Sequence, residues 1–399
     1  MSKDQVFADY QKYILNTYTR TPVIFVKGKG SKLVDIHGKT YLDFFPGWGV
    51  NNVGHCHPKV MAGVRDQVGK LIHIPNNLYH PPQAKLAREI IRNAFPGKVF
   101  FCNSGAEAAE AAIKFARACG KGRRYEIITM TNSFHGRTLG ALAATGQEKY
   151  QKGFEPLPEG FCHVPFNDLE AVREAVTDRT AAVMLEPVQG EGGVHVADQK
   201  YLKGLRALCD EHDLLLIFDE VQTGLGRTGE MFAFQHYGVR PDVMTLAKAL
   251  GGGLPIGAMI AAERFADVFK PGMHASTFAG SPLVCKAALG VFKAIHSGGL
   301  LKNARTMSDY ALKRFAKWQA KFPFIREVRG LGLMLGLELS MPGAPVVEFC
   351  FEQGLLINCT QGNILRIMPA LTVTRKEMDR ALAIMEQALE ANAEKQYET

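Results

Sequence analysis

The chain lacks most of the features that would settle its class at once. No apolar run approaches the roughly 18 residues needed to cross a bilayer. The opening decapeptide, MSKDQVFADY, is polar where a signal peptide carries a hydrophobic core. These shortfalls argue against a membrane or exported protein, and a soluble, cytoplasmic one is expected. The eight cysteines stand singly with no C-x-x-C spacing, which argues against a disulfide scaffold or a zinc ribbon and for free thiols in a reducing compartment. His55-Cys56-His57 has no matching ligands nearby, and Gly54 and Pro58 frame it as a turn, so no metal is expected. Biased tracts are lacking. The net charge of +8 is interspersed and forms no basic stripe laced with aromatics, so a nucleic-acid partner is not expected.

What is present is an ordinary globular composition, 47% hydrophobic and 22% charged over 399 residues, long enough for two domains. Short apolar runs alternate with helical stretches, as in a doubly wound α/β sheet. Residues 21–43 alternate apolar and polar positions around Gly28, Gly30 and Gly38, reading as a small antiparallel meander. Residues 1–17 read as an amphipathic arm. After about residue 298 the character changes: a helix over 304–322, a glycine-broken strand over 328–338, and strands at 355–358 and 364–368 are expected. A last helix opens at Thr374 with the capping-box spacing to Glu377.

One stretch organises the rest. Residues 214–218 (LLLIF) are too short for a helix and read as a buried parallel strand ending in Asp219-Glu220. A second strand, 242–247, ends at Lys248 and is followed by Gly251-Gly252-Gly253. In open α/β sheets the working groups lie beyond the carboxyl ends of strands. A lysine there can form a Schiff base with an aldehyde, and a carboxylate can hold a pyridine nitrogen protonated so that the ring takes up electrons. This is the equipment of a pyridoxal phosphate enzyme. Upstream, a strand at 98–102 runs through Asn103-Ser104-Gly105-Ala106 into an apolar helix, and such a helix start can bind an anion. Residues 224–229 match G-x-G-x-x-G, but residues intervene after the strand and Gly238 and Pro241 leave little room for a helix. The dinucleotide reading is therefore rejected.

DEVQTGLGRTG and TLAKALGGGLPIGA resemble the class III aminotransferases of pyridoxal phosphate fold type I, and within them the acetylornithine aminotransferases. The likeness runs from about Tyr18 to the last helix. It implies a large, mainly parallel doubly wound domain (50–297) and a smaller α+β domain built from 1–49 and 298–399. The resemblance makes Lys248 and Asp219 catalytic. It places pyridoxal 5'-phosphate among Ser104, Gly105, Ala106, Phe134, Asp219, Glu220, Val221, Gln222 and Lys248, with Phe134 stacking on the ring. Thr277 would bind the phosphate of the neighbouring subunit's cofactor, which implies a homodimer with shared active sites. Arg137, Glu191, Ser276 and Arg366 would contact substrate, Arg366 holding an α-carboxylate. Trp48 reads as an anchor or a pocket wall; Tyr79 carries the same ambiguity, with the family's N-L-Y loop favouring the pocket edge.

The activity so implied is transfer of the terminal amine of N2-acetylornithine to 2-oxoglutarate. Ornithine, succinylornithine, N-succinyldiaminopimelate and 4-aminobutyrate remain open as donors. An aminomutase of the same fold is disfavoured by Arg137, Glu191 and Arg366 together, which suit alternating substrates. A non-catalytic binding module would have no use for Lys248.

Overall fold

The computed structural model describes residues 2–397, with side chains described to residue 393. Seven strands form its central sheet: β1 (Gly97–Cys102), β2 (Glu126–Met130), β3 (Phe161–Val164), β4 (Thr180–Leu185), β5 (Leu215–Asp219), β6 (Val243–Leu246) and β7 (Gly257–Ala262). They lie in the order β1-β7-β6-β5-β4-β2-β3. Strand β7 is antiparallel to both neighbours and every other pairing is parallel. Every residue of β4 to β7 is buried. That is why those segments read as near-continuous apolar runs rather than alternating ones.

Helices cover both faces. On one face Ala109, Ala112, Ile113 and Ala116 of the helix Gly105–Cys119 pack on Ile127, Met184, Ile217 and Val243. The small alanines let this helix lie close to the strands. On the other face Leu202, Leu205 and Leu208 of the helix Gln199–Glu211 belong to a core with Ile128, Val183, Leu216 and Phe218. Neighbouring residues of one strand thus serve opposite cores, as the two-residue period of a strand requires.

The N-terminal meander forms as expected, with strands Phe25–Lys29, Lys32–Asp35 and Thr40–Asp43. Leu355–Leu356 joins it, parallel to Thr40–Asp43, which ties the N-terminal segment to the C-terminal region. The helix Lys3–Tyr13 buries none of its residues.

Two expectations need correction. The stretch 328–338 is not one broken strand but a hairpin of Ile325–Leu331 and Met334–Leu339. Gly332 turns it at φ 57°, and a Cβ there would lie 2.2 Å from the backbone of Thr228. Residues 355–358 are likewise not one strand. Leu355–Leu356 pairs with the meander, while Asn358–Thr360 pairs with Ile364–Ile367 in the hairpin's sheet.

The glycine-rich 224–229 loop docks on the tip of that hairpin. Arg227, fully buried, donates to the carbonyls of Leu333 and Pro369 and to the Asn52 side chain. With no carboxylate partner among the described residues, burial pushes its pKa down to about 9. His55 pairs with Asp43 at 2.7 Å, and His57 Nδ1 caps the helix Pro58–Val68. Among the described residues no side-chain cluster could hold a metal ion, and no single helix is long and apolar enough to cross a membrane.

Candidate active site

Strands β5 and β6 run parallel, with Asp219 opposite Thr245. Their carboxyl ends bring Asp219 and Lys248 to the wall of one cavity of about 470 Å³. Lys248 stands at φ 41°, a left-handed conformation that costs a non-glycine residue of order 1–3 kcal/mol. The kink lies two residues past the end of β6, at a residue that lines the cavity. Burial drives the lysine pKa down, against the raising charges of Glu191, Asp219 and Glu186, while Arg366 adds to the depression. A buried, more readily deprotonated amine suits a nucleophile and proton carrier.

Asp219 is fixed by three donors. Its Oδ1 accepts from the Val221 N–H and the Thr245 hydroxyl, both at 3.0 Å, and its Oδ2 faces His135 Nδ1 at 2.7 Å. Burial opposes a charge on His135, but the hydrogen bond and charge of Asp219, with Glu186 behind, outweigh it and raise its pKa. Asp219 is therefore backed by an imidazole that holds its proton more readily than usual. Glu186, at the end of β4, accepts from the Phe134 and Gly190 N–H groups. Burial and the charge of Asp219 push its pKa up to about 7 against the pull of His135.

At the cavity's other end the helix Gly105–Cys119 points its N-terminus inward. Ser104 caps it by accepting from the Glu107 N–H at 3.2 Å, while the Glu107 carboxylate reaches back to the Asn103 N–H at 2.6 Å. That is one residue beyond the cap that a capping box normally closes on. First-turn N–H groups have no acceptor within their own helix, and both Gly105 and Ala106 line the cavity. A Cβ on Gly105 would lie 2.9 Å from Val221, so glycine lets the helix end approach the wall.

Gln222 also lines the cavity, its amide buried beside the Glu191 carboxylate that it helps to keep charged but without a well-formed hydrogen bond among the described residues. A buried primary amide so placed awaits a polar ligand. Together, a depressed lysine, a fixed carboxylate, an orphaned amide, the Phe134 ring and an open helix N-terminus fit a flat, anionic aromatic aldehyde.

Ser104, Phe134, Val221 and Arg137 also line this cavity. Arg137 is exposed at its rim and stacks over the Tyr150 ring, 4.1 Å from the centroid. Glu220 does not belong to the wall, which corrects the expectation for it. Successive side chains on a strand point to opposite faces, and Glu220 is buried on the far side. There its carboxylate accepts from the Ala233 and Phe234 N–H groups and from Thr223. Thr277 is exposed and outside the cavity wall of its own chain, and Ser276 accepts from Asn103 Nδ2 at 2.9 Å. Trp48 is half exposed and meets Phe45 edge-on; Tyr79 is fully exposed.

Buried Arg366 and partly buried Glu191 form an ion pair, at 2.8 and 3.2 Å. Asn358 Oδ1 accepts from the same guanidinium, which lies over the Phe45 ring. Burial raises the Glu191 pKa, but Arg366 and then Lys248 outweigh it and hold the carboxyl below its ordinary value. The Glu191 backbone is itself anchored, its carbonyl accepting from Thr360 and Gln361. Sequence reasoning assigned no role to His135, Glu186, Asn358 or Tyr150. Glu186 carried a usable signal, an acid ending a buried strand just as Asp219 does. The other three carried none, since their importance arises from neighbours remote in sequence.

Residues 13–389 match the family model described as "Aminotransferase class-III". An acetylornithine aminotransferase of Methanocaldococcus jannaschii is 52% identical over 97% of this chain and 98% of its own. One from Caldanaerobacter subterraneus is 51% identical over 95% and 98%. Among solved structures, an ornithine aminotransferase of Toxoplasma gondii superposes with a TM-score of 0.95 at 33% identity, covering 99% of this chain and 96% of its own. An acetylornithine aminotransferase of Elizabethkingia anophelis does so with 0.87 at 31%, covering 98% and 100%.

Proposed function

The chain belongs to the class-III aminotransferases, pyridoxal-phosphate-dependent enzymes of the α/β fold described above, and from that premise we propose that it moves the terminal amine of N2-acetylornithine to 2-oxoglutarate. The products are N-acetylglutamate 5-semialdehyde and glutamate. The observation that carries the reading is the Glu191–Arg366 pair, its arginine buried and both groups within electrostatic reach of Lys248. Acetylornithine offers its terminal amine, so its carboxylate lies far from the reacting carbon. Glutamate offers its α-amine, so a carboxylate lies beside that carbon. One pocket must show a cation there in one half-reaction and hide it in the other. Arg366 masked by Glu191, with Arg137 free of any carboxylate partner among the described residues at the rim, supplies both arrangements.

Bound in the cavity, pyridoxal phosphate supplies an aldehyde that exchanges amines and a ring that takes up electron density from the reacting carbon. The chain's own groups divide the remaining work. Lys248 Nζ, kept from holding its proton tightly, takes the proton from the substrate carbon and returns it. Asp219, backed by His135, holds the ring nitrogen's proton. The Gly105 and Ala106 N–H groups hold the phosphate, Gln222 meets a polar ring substituent, and Phe134 covers the ring face.

The enzyme works as a homodimer in this reading. Ile72, Leu78, Tyr79 and Phe278 expose half or more of their surface; Phe278 adjoins Thr277, and the 72–79 segment meets the same loop where Asn76 donates to the Ser276 and Ala279 carbonyls and His73 packs on Phe278. An apolar surface beside a residue with no role in its own chain's cavity suits a second copy. Eight free thiols suit the cytoplasm.

The test is kcat/KM on a panel of amino donors with 2-oxoglutarate. Acetylornithine should exceed ornithine, succinylornithine, N-succinyldiaminopimelate and 4-aminobutyrate. A change of acyl group shifts selectivity by about 1–3 kcal/mol, so the margin over the acylated rivals should be about tenfold or more. A higher value for ornithine or 4-aminobutyrate would replace the assignment. Product formed without 2-oxoglutarate would replace transamination with an intramolecular shift.

A further inference from the structure

Three buried polar atoms behind Asp219 have no hydrogen-bond partner among the described residues: His135 Nε2, His163 Nε2 and Thr129 Oγ1. The sheet register sets Thr129 beside His163, and the contact of His135 with Asp219 brings the third toward them. Thr129 on β2 lies opposite His163 on β3, and paired residues of parallel strands project to the same face. Thr129 also shares its face with Ile127, Met184 and Ile217. Asp219, two residues beyond Ile217, projects to that face too. His135 meets Asp219 through Nδ1 and turns its other nitrogen away from the carboxylate. From β5 to β3 is three strand spacings, roughly 14 Å, a span that one imidazole from each side and a single water can bridge. The charge of His135 is felt at His163.

We propose that His135, Thr129 and His163 bind one water, which carries a proton between the buried Asp219–His135 pair and solvent at His163. A buried water needs two to four polar partners, and these three supply complementary ones. In its charged form, which the contact with Asp219 favours, His135 carries a proton on each ring nitrogen, so Nε2–H donates to the water. His163 is neutral, because burial and then the charge of His135 lower its pKa, so its Nε2 accepts from the water. The Thr129 hydroxyl takes the remaining position.

In the transfer the His135 Nε2–H bond breaks as a water O–H forms. The water's O–H to His163 breaks as the His163 Nε2–H forms, and His163 Nδ1 releases its proton to solvent. One proton reaches bulk and the water is unchanged. The charged groups facing His135 are Asp219 from β5 and Glu186 from the end of β4, with the neutral His163 on β3. His163 is half-buried on that edge strand, and so joins the interior to the surface. Charge at Asp219 can then adjust from behind while the cavity in front is filled. His163 and Thr129 are positioning residues in this scheme.

The consequence for catalysis rests on the pairing of Asp219 with the cofactor ring, but the test reads His135 itself. Crystals of the holoenzyme that resolve ordered waters should show one within about 2.7–3.2 Å of all three atoms; a side chain filling that space overturns the proposal. In holoenzyme labelled with ring-15N histidine, NMR gives the exchange rate of the His135 ring protons with solvent. Thr129→Val and His163→Phe should each slow that exchange by about tenfold, as loss of one relay hydrogen bond implies. His163→Gln, close in size and hydrogen-bonding but unable to shuttle the proton, should keep the water and still slow exchange. Wild-type rates in His163→Gln and Thr129→Val would overturn the relay, whatever the packing effect of phenylalanine. Slowed exchange in an enzyme inactive on acetylornithine would sustain the relay and defeat the substrate assignment.

Discussion

Arg366 is a full positive charge with 1% of its surface in water, and its environment is arranged to hide it. Removing one partner of a buried pair leaves an uncompensated charge and costs up to about 3–5 kcal/mol at full burial. Glu191→Ala should therefore slow the acetylornithine half-reaction much more than the glutamate half-reaction. Single-turnover absorbance of the bound cofactor with each amino donor checks this, and equal slowing of both would remove the masking role. Lys248→Ala should abolish covalent retention of pyridoxal phosphate, read as no mass gain on the polypeptide after borohydride reduction. A mass gain of the reduced cofactor in that variant would place the linkage on another residue. The meeting of Asp219 and Lys248 at one cavity was legible in the sequence because each follows a short buried run, whereas the Glu191–Arg366 contact was reached only through motifs that resemble the family's. Glu220 was misplaced because it adjoins Asp219 in sequence, just past the strand, but its side chain turns to the opposite face. His135 and Asn358 become visible only when the sheet brings β2 beside β4 and residue 358 opposite Arg366.

The strand that positions Asp219 also carries Glu220 into the opposite core, where burial lifts its pKa from an ordinary 4.5 to about 7. Between those values the unfolded chain releases this proton before the folded one does, so the folded state binds more protons. Stability contributed by this group therefore falls as pH rises through that window. Glu220→Gln should flatten the fall by roughly 1–3 kcal/mol between pH 4.5 and 7; urea unfolding of both proteins across the window measures it, and parallel curves would contradict the buried-acid account. The 331–334 hairpin makes a second test. Gly332 needs φ 57° and has the Thr228 backbone where a Cβ would stand. Gly332→Ala should destabilise by more than about 2 kcal/mol, seen as an earlier urea midpoint; an unchanged midpoint would show that the hairpin and the 224–229 loop can separate freely. The buried strands of the central sheet were legible from their apolar runs, and the last helix from its reciprocal Thr374–Glu377 cap. The hairpin was not, because an apolar run broken by glycines looks the same whether the chain bulges or reverses. Its partner sheet was hidden for the same reason, since Ile357 continues an apolar run across a change of sheet.

As a whole, the molecule gathers Ser104, Gly105, Ala106, Phe134, Asp219, Val221, Gln222 and Lys248 at one cavity, while Thr277 stands exposed outside it beside Phe278. If Thr277 serves a second copy, Thr277→Ala removes one charge-assisted hydrogen bond worth about 1.5–3 kcal/mol. Cofactor affinity should then weaken by roughly tenfold or more, measured by equilibrium dialysis of pyridoxal phosphate. A fully active monomer in sedimentation would refute the shared site. Where the nitrogen goes decides the reaction, and an isotope follows it. The intact enzyme is given 2-oxoglutarate with equal concentrations of acetylornithine carrying 15N at its terminal amine and unlabelled ornithine. Mass spectrometry of the glutamate formed early should find the label predominating at its α-amine, with N-acetylglutamate 5-semialdehyde formed in equal amount. Glutamate formed chiefly without label, or label released as ammonia, would contradict the account.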